Sequence, residues 1–169
     1  TGTRNRLIDL EFVSDQQAYV AGDNETLLAT ADGGATWTAA VSGQRARVGE
    51  NRTIYESVAF TSPEIGWAVG SSGVVVKSED GGETWDRPDM DLDAVENLFG
   101  IVATSPDDLW IVGQEASIFL SLDAGTTWYR AENDAEDFYF NLYDIAFHPT
   151  DPSHAWVVGD DGTILHTSD

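Results

Sequence analysis

The strongest constraint on the fold of this chain is a short pattern, Ser/Thr-x-Asp-x-Gly-x-Thr-Trp, that occurs three times in full and begins a fourth time. The pattern returns at intervals of about 45 residues, the length of one supersecondary unit in a repeat protein. Such a unit cannot bury its apolar face alone, so the copies must stack. The pattern positions are Thr30, Asp32, Gly34, Thr36 and Trp37; Ser78, Asp80, Gly82, Thr84 and Trp85; Ser121, Asp123, Gly125, Thr127 and Trp128; and finally Asp169.

Short apolar runs between these boxes indicate β-strands rather than helices. Each repeat has one run of about six residues, such as Tyr55–Phe60, followed by two shorter runs rich in Val, Ile, Leu and aromatic residues. Turns that contain glycine, such as 71–73, separate the two shorter runs. With a further strand beginning at each box Thr-Trp, every complete repeat is predicted to form four antiparallel strands.

Four antiparallel strands in about 45 residues predict an all-β fold, a β-propeller or propeller segment of about four blades. We expect a single domain over residues 1–169, with blades at approximately 7–41, 54–90, 97–132 and 141–169. The last blade lacks its outer strand unless residues 1–6 supply it. The short runs exclude a helical solenoid. A β-sandwich stays open, although it does not require the same box at the same corner of every repeat.

The box has a local structural role in this interpretation. Its Asp is suited to accept hydrogen bonds within the tight turn that the box Gly permits. Its Trp is suited to pack between neighbouring sheets, with the indole N–H bonded to a carbonyl. Catalysis or metal binding by the box aspartates is disfavoured, because identical sites on separate blades do not converge on one pocket.

The box and the longer repeat resemble a known family. The pattern is similar to the Asp-box, or bacterial neuraminidase (BNR) repeat, and the segment from Tyr55 to Trp85 resembles the branch that contains the photosystem II stability and assembly factors. The resemblance extends from Leu7 to Asp169. It implies a propeller that contacts protein partners through a basic patch, in an extracytoplasmic location: secreted, periplasmic or lumenal, or at the cell surface.

Members of this family commonly close with seven blades, whereas this chain supplies three complete blades and the first three strands of a fourth. Three possibilities follow and stay open at this point. The chain is a stretch of a larger propeller, it completes a ring with another subunit, or it closes on itself with four blades. Without one of these arrangements the incomplete ring would expose unpaired sheet edges, which favour aggregation of β proteins.

The composition restricts the partners. The chain carries 30 acidic and 8 basic residues, a net charge of -22, and no cysteine. This charge opposes binding to nucleic acid and to anionic membranes, and no apolar run is long enough to span a membrane. Residues 1–6 lack the apolar core of a signal peptide, so we expect a mature or excised chain. A solvated surface explains the charge, with a high-salt environment or a basic partner as alternatives.

Catalytic residues are difficult to find in the sequence. The resemblance to sialidases is limited to the box, because those enzymes take an arginine triad from several blades, whereas Arg45, Arg47 and Arg52 belong to one inter-blade segment. A paired-carboxylate glycoside hydrolase stays open, since acidic residues are abundant. His148, His154 and His166 are expected to have surface or packing roles, and no metal or cofactor is predicted.

Segments that interrupt the repeat are the best candidates for contact with a partner. The arginines of the first such segment would pair either with neighbouring acids or with a carboxylate-bearing partner. The connections 86–97 and 129–141 are acidic, and the second ends in aromatic residues that would cap the core or anchor an interface. The candidate partner-binding residues are Arg45, Arg47, Arg52, Phe138, Tyr139 and Phe140.

The sequence therefore predicts a non-catalytic protein-interaction or assembly module, with completion by other subunits as an open alternative. The alternative is a carbohydrate-active propeller, either a hydrolase fragment or a glycan-binding module that uses its Trp and Tyr faces. A purely structural subunit of a larger complex is a third hypothesis.

Overall fold

The computed structural model describes residues 2–42, 53–89, 92, 96–132 and 140–168. Most of these residues belong to short β-strands or to the turns between them. Six residues that the sequence analysis selected lie outside this described part of the chain: Arg45, Arg47, Arg52, Phe138, Tyr139 and Asp169.

The strands follow the sequence repeat. The first blade contains β1 (Leu7–Phe12), β2 (Ala18–Gly22), β3 (Thr26–Thr30) and β4 (Thr38–Ala39), and β5 (Val41–Ser42) follows it. The second contains β6 (Tyr55–Phe60), β7 (Gly66–Gly70), β8 (Val75–Ser78) and β9 (Thr84–Trp85). The third contains β10 (Leu98–Ala103), β11 (Leu109–Gly113), β12 (Ile118–Ser121) and β13 (Tyr129–Arg130). The fourth contains β14 (Leu142–His148), β15 (Asp151–Gly159) and β16 (Ile164–Thr167).

Consecutive strands pair antiparallel within each blade, which confirms the predicted propeller architecture. The register repeats as well: Phe12 lies opposite Ala18, and Phe60 lies opposite Gly66 at the same position of the next blade. In the second blade the outer strand joins β8 through the bridge between Lys77 and Asp86. The same outer strand also pairs in parallel with β5, which links the first two blades at their outer edge.

Apolar side chains fill three layers between consecutive blades. The first layer, between blades one and two, includes Tyr19, Leu27, Val58, Phe60 and Trp85. The second, between blades two and three, includes Trp67, Val75, Ile101, Phe119 and Trp128. The third, between blades three and four, includes Val112, Ile118, Leu142, Ile145 and Val157. The blades therefore stack as the repeat requires, with one shared core per pair of neighbours.

The glycine at the end of each second strand leaves space for backbone from the same blade. A Cβ atom on Gly22 would collide with the carbonyl oxygen of Arg6, and one on Gly70 would collide with that of Ile54. Gly113 and Gly159 meet the carbonyl oxygens of Asn97 and Asn141 in the same way. Each carbonyl accepts the N–H of the residue after the glycine, at 2.9 to 3.0 Å. The repeated glycine thus allows the segment before each innermost strand to dock on the hairpin of its own blade.

Residues 5 and 6 take part in this docking at the first blade. The side-chain amide of Asn5 donates to the Thr26 hydroxyl at 2.8 Å, and the Arg6 carbonyl accepts from Asp23 N–H at 2.9 Å. These residues therefore do not supply the outer strand of the fourth blade. In the described part of the chain, β16 pairs with β15 and its other edge pairs with no strand.

The two ends of the blade stack expose apolar faces. Leu10 and Phe12 of the first blade are 50% and 62% exposed, at positions where Val58 and Phe60 of the second blade are buried. Trp156, Val158 and Ile164 of the fourth blade are also exposed, whereas the equivalent Tyr19, Ala21 and Leu27 are buried. The described blades thus form an open arc, because neither end face packs against another blade.

Candidate partner-binding surface

Each Asp-box closes a turn between the third and fourth strands at one edge of the propeller. In the first box the Asp32 carboxylate accepts the Thr36 N–H at 2.8 Å, the Thr36 hydroxyl at 2.6 Å and the Thr30 hydroxyl at 2.8 Å. The Thr30 hydroxyl oxygen in turn accepts the Gly34 N–H at 2.9 Å. The boxes of the second and third blades repeat these contacts through Asp80 and Asp123.

These hydrogen bonds also determine the charge state of the box aspartates. The Thr36 hydroxyl, the Thr36 N–H and the Thr30 hydroxyl lower the pKa of Asp32 from 3.8 to about 2. Hydrogen bonds from Thr84 and Thr127 lower the pKa of Asp80 and of Asp123 in the same way. A carboxylate that is held ionised by its own turn cannot donate a proton near neutral pH, so the box is poorly suited to general acid catalysis.

The box tryptophans of the second and third blades pack in the layer with the preceding blade. Trp85 and Trp128 are buried, and their indole N–H groups donate to the carbonyl oxygens of Gly82 and Gly125 at 3.1 and 3.0 Å. Trp85 contacts the Phe60 ring of its own blade edge-on at 5.8 Å between centroids, in the layer shared with Tyr19 of the first blade, and Trp128 contacts Trp67 of the preceding blade at 6.3 Å. Trp37 in the first blade is only partly buried, because no described blade precedes it.

One acidic pair lies in the first layer. Glu11 is largely buried, and burial raises its pKa from 4.5 to about 7, aided by the charge of Asp9 and opposed by the Phe60 N–H. The Asp9 carboxylate accepts hydrogen bonds from the Ser57 hydroxyl at 2.8 Å and the Val58 N–H at 2.9 Å. Asp9 is therefore occupied in joining two innermost strands, and the pair sits between blades rather than in an open substrate cleft.

The three histidines surround one tryptophan on the exposed face of the fourth blade. His166 stacks on Trp156 at 4.8 Å between ring centroids, and His148 and His154 contact the same indole at 6.4 and 6.3 Å. The His154 Nδ1 atom lies 3.3 Å from the Asp151 carboxylate. Among the described residues, no group of three or more His, Cys, Asp or Glu side chains is arranged to hold a metal ion.

At the opposite edge from the boxes, the innermost strand of each blade carries a β-bulge near its start. The pairing shifts register between Leu7 and Asp9, and it shifts at the same place in β6, β10 and β14. The residues at the shift are Ile8, Glu56, Phe99 and Tyr143. We call these four residues the rim row. Their position is constant in the repeat but their chemistry is not, which is typical of a surface adapted to a particular partner.

Aromatic side chains occupy one end of the rim row. The rings of Phe99 and Tyr143 lie 5.3 Å apart between centroids, and Tyr143 is 45% exposed. The Tyr143 hydroxyl donates to the Asp160 carboxylate at 2.7 Å, which also accepts the Asn141 N–H at 3.1 Å. These hydrogen bonds lower the pKa of Asp160. The result is an accessible aromatic pair whose orientation is held by an ionised acid.

Charged side chains lie at and beside the other end of the rim row, where Arg6 and Asp23 are neighbours of Glu56. Arg6 pairs with Asp23 at 3.4 Å and is itself 65% exposed. Burial raises the pKa of Glu56, with the Arg6 charge opposing the shift. The carbonyl of Thr53 accepts the Glu25 N–H at 2.8 Å, so the residue that follows Arg52 docks on the first blade at this edge. Thr53 is the first described residue after the predicted arginines, and it lies at the same edge of the blades as the rim row.

The predicted site residues have different positions in the structure. The box residues of the first three blades lie on three separate corners, as described above. Phe140 is partly buried and packs against the third layer, and its carbonyl accepts the Ala116 N–H at 2.8 Å. Sequence reasoning missed Phe99 and Tyr143. The signal that would have found them is the variable position after the first residue of each innermost strand.

Comparison with known proteins agrees with this architecture. A model of the photosynthesis system II assembly factor YCF48 family matches residues 1–92 and 43–136. The chain belongs to the YCF48 family. Its relatives include the chloroplastic photosystem II stability/assembly factor HCF136 of Arabidopsis thaliana, 35% identical over 83 residues, which are 48% of this chain and 20% of that protein. They also include the photosystem II assembly lipoprotein Ycf48 of Synechococcus sp. (strain RCC307), 49% identical over 41 residues, which are 24% of this chain and 12% of the lipoprotein.

Solved structures show the same fold. A structure of YCF48 bound to D1 peptide superposes with a TM-score of 0.67 at 20% identity, covering 98% of this chain and 65% of that one. An ancestral GH74 enzyme superposes with a TM-score of 0.71 at 15% identity, covering 97% of this chain and 23% of the enzyme. This YCF48-family chain thus spans only part of the length of these relatives. No helix in its described residues is long and apolar enough to cross a membrane.

Proposed function

We propose that this chain acts as a non-catalytic assembly module, a part of a YCF48-type propeller that binds an extended segment of a protein partner at the rim row. The observation that carries the proposal is the family match over most of the chain. A solved YCF48 structure holds a D1 peptide, so D1 is the first candidate for the partner. The GH74 similarity concerns the fold, because at 15% identity it transfers no chemistry.

The geometry of the rim supports this location for the site. The box edge carries the same satisfied turn in three blades, whereas the rim row differs from blade to blade. An aromatic pair provides contact area at low entropic cost, and its polar tip allows hydrogen bonding. A rigid scaffold with a variable edge is the usual arrangement of a binding surface.

The distribution of basic residues supports a carboxylate-bearing segment as the ligand. Five of the 8 basic residues, Arg4, Arg6, Arg45, Arg47 and Arg52, precede the innermost strands of the first two blades in sequence. They are the main source of positive charge in a chain of net charge -22. Arginine binds carboxylates in a bidentate manner, so these residues would select an acidic segment or a free carboxyl terminus. The chloroplastic and lipoprotein relatives support an extracytoplasmic, lumenal-type location for the encounter.

Fluorescence anisotropy with labelled synthetic peptides that tile the D1 sequence would test the proposal. We expect one segment to bind saturably and its scrambled version not to bind. Replacing Arg45, Arg47 and Arg52 together with Ala should weaken binding by about tenfold or more, because charge-assisted hydrogen bonds are lost. The proposal fails if no segment binds better than its scrambled control.

The role of Tyr143, at the aromatic end of the rim row, can be tested against a control substitution of another exposed tyrosine in the same chain. Tyr143→Ala should weaken peptide binding, whereas Tyr129→Ala should not, because Tyr129 is similarly exposed but lies on the outer strand of the third blade. Equal effects of the two substitutions would place the peptide away from the rim row.

A further inference from the structure

The aromatic pair of the rim row has acidic side chains on both sides. Phe99 and Tyr143 occupy the same repeat position in blades three and four, and their rings lie 5.3 Å apart because the innermost strands of neighbouring blades run side by side. Glu56 occupies that position in blade two, so it is the neighbour of Phe99 on the other side. Asp160 accepts a hydrogen bond from the Tyr143 hydroxyl at 2.7 Å. The two rings are thus flanked by two carboxyl groups.

Hydrogen bonds orient the Tyr143 ring and make it more electron-rich. Its hydroxyl donates to Asp160 and accepts from the side-chain amide of Asn141 at 3.4 Å. The bonds from Tyr143 and Asn141 lower the pKa of Asp160, so its carboxylate is ionised at neutral pH. A phenol that donates to a carboxylate gains electron density, which adds to the negative potential that the face of an aromatic ring already has.

The basic side chains of the chain itself bind other rings. The Lys77 ammonium lies 5.3 Å from the centre of the Trp67 ring, and the Arg130 guanidinium lies 5.9 Å from that of Phe119. Both of these rings are buried. Within the part of the chain that the structure describes, no Lys or Arg side chain lies over the aromatic pair of the rim row. The exposed pair therefore remains accessible to a cation from another molecule.

We propose that Phe99 and Tyr143 bind a cationic side chain, an arginine or a lysine, of the partner segment. The cation stacks on the two rings, and the negative charge of Asp160 and Glu56 adds to the attraction. Arginine suits the site best, because its planar guanidinium stacks on aromatic faces and is weakly hydrated. This cation site rests on the proposed function, since it lies at the end of the rim row where the partner segment binds. The partner segment then has a carboxylate for the arginine end and a basic residue for the aromatic end.

A peptide without any carboxylate separates this contact from the arginine end. The probe is acetyl-Gly-Gly-Arg-Gly-Gly-amide, and its control has citrulline, which is neutral and similar in shape, in place of arginine. Titration of the 169-residue protein, followed by NMR, should give saturable shifts at Phe99 and Tyr143 with a Kd on the order of millimolar. The citrulline peptide should bind at least about threefold more weakly. Absence of saturable shifts at these two residues, or equal affinities for the two peptides, would overturn the proposal.

Substitutions of Tyr143 distinguish a cation site from a merely apolar one. Tyr143→Phe retains an aromatic ring and should keep most of the affinity for the arginine peptide. Tyr143→Leu retains apolar area without the ring and should weaken binding by about threefold or more. Tyr129→Leu is the control, because Tyr129 is also exposed but lies on the outer strand of the third blade. Both tyrosines are exposed, so the variants should fold, and thermal unfolding checks this.

Non-specific attraction to a chain of net charge -22 would give a different result. The arginine peptide would then bind the Tyr143→Leu and Tyr129→Leu variants equally, and its shifts would spread over the acidic surface. Either observation contradicts the proposal.

This experiment and the D1 peptide experiment can fail independently. Binding of a D1 segment without any effect of the arginine peptide at Phe99 and Tyr143 would overturn the cation site and leave the proposed function in place. Specific binding of the arginine peptide without binding of any D1 segment would support the cation site and overturn the proposed function.

Discussion

The first and third inter-blade layers are built from the same repeat positions but with different side chains. In the first, Trp85 is 1% exposed and lies beside Phe60, which stacks on Tyr19 at 3.8 Å. In the third, Trp110 and Phe147 contact each other at 5.5 Å and line a cleft of about 750 Å³. The comparison shows that the strands of a blade depend on the shared repeat positions, whereas the box tryptophan adds buried area to the layer with the preceding blade.

Removal of the tryptophan from a complete layer should have the largest effect. Trp85→Ala should lower the free energy of unfolding by about 3–5 kcal/mol, as for other large buried aromatic residues. Trp37→Ala is the matched control, since Trp37 occupies the same box position but faces no described blade, and its loss should cost about 1 kcal/mol. Urea denaturation of both variants measures the difference. Equal losses would show that the tryptophan stabilises its own blade rather than the layer.

Substitution of a glycine that packs in an inter-blade layer should have the second-largest effect on stability. A Cβ on Gly125 would collide with the Trp67 ring, and its φ of +78° disfavours any side chain, so Gly125→Ala should cost about 3 kcal/mol. Gly162 has a similar φ of +75° but meets no atom within 4 Å, so Gly162→Ala should cost only about 1 kcal/mol. Denaturant midpoints compare the two variants. A reversed order would mean that the box turn moves away from Trp67 without penalty.

Glu11 distinguishes the first layer from the third by a buried acid. Its folded pKa of about 7 exceeds the ordinary 4.5, so the native state binds the proton more tightly than the unfolded chain does. Ionisation of Glu11 therefore lowers the free energy of unfolding. This effect is absent below pH 4.5, grows as the pH rises above 4.5, and reaches its full size above about pH 7. Glu11→Gln should therefore stabilise the protein by about 1–3 kcal/mol at pH 8 and have little effect at pH 4. Thermal unfolding at both pH values tests this, and an equal effect at the two values contradicts it.

The box aspartates should give the smallest effect, with the opposite pH dependence. The pKa of Asp80 is lowered in the folded state by bonds from Thr84, so its contribution is present above the ordinary 3.8 and is lost as the pH falls below it. Asp80→Asn should lower the melting temperature slightly at pH 7 and bring it closer to that of the unsubstituted protein at pH 2. Asp86→Asn, a nearby acid outside the box hydrogen bonds, is the control. If the two melting temperatures differ as much at pH 2 as at pH 7, the ionised carboxylate of Asp80 is not the source of the effect.

The sequence predicted the all-β propeller fold because the signals for its strands and turns are local. Strand length, glycine-containing turns and the box are all read from a few consecutive residues, and the structure confirms a propeller built from them. The resemblance to assembly factors also agrees with the family match. Other features are visible only in the tertiary structure, because they depend on residues that are distant in sequence.

The rim row and the repeated glycines illustrate that limit. The bulges at Phe99 and Tyr143 arise from a shift in the pairing between two strands. The alternation of apolar and polar residues along either strand does not reveal such a shift. Gly70 has an extended φ of -179°, so no turn requires glycine there. The requirement comes from the carbonyl of Ile54, which packs against it.

The sequence by itself determined that this chain repeats a four-stranded unit and that each unit needs a neighbour, because the period and the apolar runs are properties of consecutive residues. Only the tertiary structure decided which faces meet. It placed the box tryptophans of the second and third blades, Trp85 and Trp128, in the layers with the preceding blades. It also docked residues 5 and 6 on the first blade instead of the last. Contacts between blades depend on how whole sheets pack, and that information is not contained in any single repeat.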